Sequence, residues 1–135
     1  MPDYQIEIAN RQDSLPCDEA MLRAVLKDVV RSESSVQVVH LSVAVLDDTQ
    51  TRQVNAEFLD REGITDVISF PYDAGGDHLA GEIVVNADEA IRQANRAGHE
   101  AWDELLLYAV HGVLHLLGYE DSTPEFRSPM NRRAV

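Results

Sequence analysis

The chain has 135 residues, enough for one domain with a real core and too few for two. Its 44% hydrophobic content is ordinary for a globular protein, no run of 18 apolar residues occurs, and MPDYQIEIAN shows no secretory signal, so a cytoplasmic protein without membrane association is expected. A net charge of −13, with one lysine against ten arginines, excludes broad nonspecific binding of nucleic acid, so no DNA partner is expected, although a local basic cleft remains open.

Tyr4–Ile8 alternates and predicts a strand. After the Pro16 turn, Asp18 is placed to cap a helix carrying Met21, Leu22, Val25, Leu26, Val29 and Val30 at helical spacing. Cys17, in that turn, has no partner for an internal disulfide and reads as a bystander. Val36–Leu46 alternates and is rich in valine, which predicts a long strand. Asp47 or Asp48 caps a short helix to about Leu59. Thr65–Phe70 is a β-branched strand stopped by Pro71, and Tyr72–Leu79, with Gly75 and Gly76, is a loop.

Gly81–Asn86 is a further strand, forming a hairpin with the preceding one. Asn86 or Asp88 opens a helix ending near Gly98, and a last helix runs from about Glu100 to Leu117. Trp102, Leu105, Leu106, Ala109, Val110, Val113 and Leu117 give that helix a broad apolar surface, so it should be central and buried. The order predicts an α+β class: a single domain over 1–135 with a mixed four-stranded sheet packed with helices. Residues 122–135, with two prolines and Arg132-Arg133, form a partly flexible tail.

The last helix carries the chemistry. His111 and His115 stand four apart, one turn above each other on one face. Burying two imidazoles on one stripe is costly unless both find partners, and a shared metal supplies both. Gly118 is suited to end the helix in a left-handed conformation, and Asp121 then offers a carboxylate oxygen. The pattern HxxxHxxGxxD is that of a three-ligand zinc site at the helix end with one position open. Zn2+ is the first choice, one per chain; two nitrogens and a carboxylate also suit Fe(II), Ni(II) or Mn(II). Glu120 is the rival third ligand, with His99, His78 and His40 further rivals. A zinc peptidase of the HExxH type carries its general base after the first histidine; Gly112 stands there, which disfavours peptide hydrolysis. Such a metal can still activate water and polarise a phosphoryl oxygen.

The segment HGVLHLLGYED resembles the HGxLHLxGYDH signature of the YbeY endoribonucleases. Leu46-Asp47-Asp48, Val54-Asn55, the block Thr65–Pro71 (TDVISFP), Gly81-Glu82-Ile83 and Met130 extend the resemblance over roughly residues 40 to 130. The resemblance implies a zincin-like α+β fold, with His111 and His115 as the first two ligands. It implies a bacterial, cytoplasmic, metal-dependent endoribonuclease specific for single strands. Such an enzyme acts in 3′-end maturation of 16S ribosomal RNA and in ribosome biogenesis and quality control. The small ribosomal subunit or its proteins would then be partners.

Two positions depart from the family. Asp121 stands where it has histidine, and Leu59 where it has an arginine proposed to be catalytic. Arg61, two residues on, is the candidate replacement for offsetting charge on the scissile phosphate. Ser69, Phe70 and Tyr72 are placed to line a cleft, an aromatic there being able to stack on an unpaired base; core packing is the competing reading for Phe70. Tyr119 reads equally as a donor behind the metal ligands or as a plug at the helix end. The alternatives are a ribosome-associated assembly factor with a structural metal and a zinc hydrolase of the metallopeptidase-like type.

Overall fold

A computed structural model describes residues 3–58 and 65–118. Alternation around Ile6 and Ile8 produces β1 (Asp3–Asn10) and valine-rich alternation produces β2 (Val38–Leu46), and the two pair in parallel. A parallel pair needs a crossover, and α1 (Glu19–Glu33) supplies it. The Asp18 side chain accepts from the Met21 N–H at 3.0 Å, the expected cap. Leu22, Leu26 and Val30 of α1 are fully buried, whereas Met21, on the same helical spacing, is 45% exposed. Its sulfur instead accepts from the Trp102 indole N–H at 3.2 Å.

The second helix, α2 (Asp48–Phe58), begins with a capping box: Gln50 N–H donates to Asp47 Oδ1 at 2.8 Å, and Asp47 N–H to Gln50 Oε1 at 3.0 Å. The next strand, β3 (Val67–Gly75), corrects the sequence expectation. It does not stop at Pro71, and 72–79 is not a loop. Only Gly76 and Asp77 separate it from β4 (His78–Asn86), with Gly75 paired to His78. Two features accommodate the proline. The sheet order is β1-β2-β4-β3, so β3 is an edge strand, and its register shifts between Pro71 and Asp73. Gly76, at φ 58°, takes the left-handed conformation that a two-residue turn wants.

The strand β4 runs parallel to β2 and antiparallel to β3, so the α+β class and the mixed four-stranded sheet are observed. Asn86 caps α3 (Ala87–Ala97), which ends on Gly98 at φ 76°. Last comes α4 (Ala101–Leu116), packed on β3 and β4 between α1 and α3. It is as buried as its composition implied: Leu105, Ala109 and Val113 have no exposed surface. Val39, Leu41, Val43 and Val45 of β2 alternate into the same core. On the opposite face, Leu46, Ile68 and Val84 form a smaller cluster with Val54 of α2 and Phe70. No helix among the described residues is long and apolar enough to cross a membrane.

Candidate metal and active site

Glycine sets how closely α4 approaches the sheet. A Cβ built on Gly112 would stand 2.7 Å from Ile83 Cγ2, and one on Gly81 would stand 2.9 Å from Leu116 Cδ1. Two glycines, one on each surface, therefore let helix and sheet close on each other. The turn of α4 that begins at His111 is thereby pressed against β4. The Ser69 hydroxyl of β3 donates to the Gly112 carbonyl at 3.1 Å, across 43 residues of sequence.

This packing leaves the two histidines in different settings. His111 is half-buried, and its Nε2 is a buried nitrogen without a hydrogen-bond partner among the described residues. His115, one turn on, is exposed. An unpartnered buried ring nitrogen is costly in an apolar core and is well used by a coordinated cation. The donor set thus fits a divalent transition metal as far as the described residues reach. Beyond α4, Gly118 adopts φ 106° and its N–H returns to the His115 carbonyl at 3.1 Å, the left-handed helix end foreseen at this glycine. Asp121, Glu120, Tyr119, Leu59 and Arg61 lie outside the described residues, as does Met130. Among the described residues no group of three His, Cys, Asp or Glu side chains is placed to hold a metal.

The rival histidines are engaged elsewhere. His99 Nε2 lies 3.0 Å from Glu104 Oε1, at the opposite end of α4. His78 lies 3.8 Å from Asp73 Oδ2 and stacks on His40 with centroids 6.2 Å apart. Phe70 packs in the smaller cluster and meets Phe58 edge-on at 6.0 Å. Tyr72 is 67% exposed, and its hydroxyl donates to Glu82 Oε1 at 2.7 Å, a bond that raises its pKa.

Two features escaped the sequence reading. One is the Ser69–Gly112 bond; a polar residue at a core-facing strand position was the available signal. The other is a polar hub centred on fully buried Asn86. Its Oδ1 accepts from the Asp88 and Glu89 N–H groups, and its Nδ2 donates to Asp48 Oδ1 at 2.9 Å and to the Thr65 carbonyl at 3.2 Å. Arg92 grips both oxygens of Asp48 at 2.6 and 2.8 Å and also Glu89 at 2.6 Å. The Arg92 hydrogen bonds hold the Asp48 carboxyl down at about 2. Burial pushes Glu89 up, but hydrogen bonds from Gln93 and Arg92 outweigh it, and its pKa is lowered. Burial, followed by the nearby Glu104 carboxylate, raises the Tyr108 phenol well above its usual range.

Comparison with known proteins gives this geometry a family. The model of the family described as Endoribonuclease YbeY matches residues 7–134. An endoribonuclease YbeY of Salinispora tropica is 38% identical, covering 89% of this chain and 85% of its own length. One from Chlorobaculum parvum is 36% identical, covering 86% and 81%. One from Rhodopirellula baltica is 39% identical over 97 residues, which is half of that longer protein. The solution structure of TM1509 from Thermotoga maritima shares the fold at a TM-score of 0.61 and 24% identity, over 96% of this chain and 86% of that one. With the histidine helix, the TDVISFP strand and a family match over nearly the whole length, the chain belongs to the endoribonuclease YbeY family.

Proposed function

We propose that the chain is a zinc-dependent endoribonuclease that cleaves single-stranded ribosomal RNA in the cytoplasm, in 3′-end maturation of 16S ribosomal RNA during ribosome biogenesis and quality control. The observation that carries this reading is the buried Nε2 of His111, unpartnered among the described residues, one helical turn from His115, in a chain of this family. His111, His115 and Asp121 would hold the metal, which when bound supplies Lewis-acid polarisation of a phosphoryl oxygen and a more acidic water. The chain's own groups then divide the remaining work. The α4 backbone, pressed onto β4 at Gly112, holds the imidazoles at a set depth. His115 faces solvent, where an RNA strand can reach it. Arg61 would offset charge developing on the phosphate. The small ribosomal subunit or its proteins would present the RNA, which suits a chain of charge −13 that has little general attraction for phosphate.

The peptidase alternative is weakened by Gly112, where any side chain would run into Ile83. The assembly-factor alternative, with a structural metal, predicts metal binding without cleavage. Metal analysis and cleavage of single-stranded RNA are therefore measured together on wild type, His115→Ala, Asp121→Ala and Asp121→His. One metal per chain is expected, lost in both alanine variants and kept in Asp121→His, with activity following the metal. Full occupancy in Asp121→Ala removes that ligand; equal cleavage by wild type and His115→Ala removes the proposed site.

A further inference from the structure

We infer that Ser69 is a positioning residue for the histidine pair, its hydroxyl setting the place of the α4 turn that presents His111 and His115. The inference rests on the metal-binding reading of that pair. Ser69 sits opposite Ile83 in the β3–β4 register, on the strand face that also carries Val67, so it points toward the core. A hydroxyl on that face is costly unless bonded, and alanine or valine would fill the position without that cost. Its bond goes to Gly112, the residue between the histidines that lies tight against Ile83 of β4.

On the side a Cβ would occupy, Gly112 meets only the apolar side chain of Ile83 among its three nearest atoms. The methyl groups of Ile83 fill the space, and methyl contacts limit approach but resist sliding and rotation weakly. A hydrogen bond is directional, so the Ser69 hydroxyl supplies what the Ile83 contact lacks. Glycine also weakens a helix interior, which makes an external tether at this turn more valuable. His111 Nε2 is buried, so a shift of the helix backbone carries the nitrogen with it inside its packed surroundings. Ser69 therefore acts on the metal through the backbone, without touching it.

The test is a titration of the full-length apo chain with Zn2+ against a chromogenic chelator, and with Co2+ followed by its visible absorption bands. Wild type, Ser69→Ala, Ser69→Cys, Ser69→Thr and His115→Ala are compared, and the melting point of each apo form is recorded. Ser69→Ala is expected to weaken Zn2+ binding by roughly 10-fold or more, as loss of groups that orient metal ligands does, and to shift the Co2+ bands. Ser69→Thr, which keeps the hydroxyl, is expected to stay within about threefold of wild type. Ser69→Cys preserves the volume with a poor donor and carries the alanine expectation should alanine fail to fold. An alanine variant with unchanged affinity and bands overturns the inference, as does a threonine variant that falls as far as alanine. If wild type itself takes up no Zn2+, or His115→Ala binds it equally, the metal reading has failed, and this inference with it.

Discussion

Gly112 shows how one missing side chain serves two purposes. It lets α4 close onto β4, with Ile83 Cγ2 only 2.7 Å from where a Cβ would stand, and it leaves the position after the first histidine without a carboxylate. Ile83 has no exposed surface, so its methyl group has little room to retreat. Gly112→Ala should therefore destabilise the fold by about 1–3 kcal/mol, the usual range for overpacking a core. Ile83→Ala removes the clashing methyl group, so the double variant should lose less than the sum of the single losses, read from urea midpoints. Strict additivity would mean that the two residues do not meet.

At the scale of elements, the Asn86 hub joins the start of α2, the residues leading into β3, the end of β4 and the first turn of α3. From the end of β4, the one buried amide reaches the Asp48 carboxylate of α2, the Thr65 carbonyl leading into β3 and the first N–H groups of α3. Arg92 then fastens α3 to α2 through Asp48. The pH dependence follows from Asp48. Its folded pKa, about 2, lies below the ordinary aspartate value near 4, so its stabilisation is present above about pH 4 and is lost as pH falls through about 2. The pair is partly solvated, so the contribution is on the order of 1 kcal/mol. Asp48→Asn should lower stability at pH 7 and converge on wild type as the pH approaches 2, measured by denaturant unfolding at several pH values. A constant gap across that range would assign the loss to something other than the charge.

Across the whole molecule, metal binding and folding are coupled if the histidine pair binds as proposed. A ligand held only by the native state at 100 times its Kd adds about 2.7 kcal/mol, which for a chain of this size raises Tm by roughly 5–10 °C. Chelation should lower the wild-type Tm by that amount and leave His115→Ala unmoved, by calorimetry with and without chelator. An equal response of both would show that the chelator acts elsewhere. The charge of −13 is a property of the same scale. It makes recognition depend on a local site or on a partner that delivers the RNA.

The local patterns were sufficient for most of the architecture. Valine alternation, Asp18 at a helix start, Asn86 or Asp88 as the opening of another, Gly98 and Gly118 at helix ends and the histidine spacing were all legible, because each depends on neighbours within a few residues. The same readability failed at Pro71, because a proline is tolerated or excluded according to whether its strand lies at a sheet edge, and edge position belongs to topology. The Arg92–Asp48 pair was not legible because its partners lie 44 residues apart in the chain. Ser69 read as a cleft residue because Gly112, 43 residues on, was not yet beside it. The sequence by itself determined the family and the one-turn spacing of the two histidines on α4. Only the tertiary structure decided the depth of each histidine, since burial is a property of what packs against a helix, and that packing comes from strands distant in the chain.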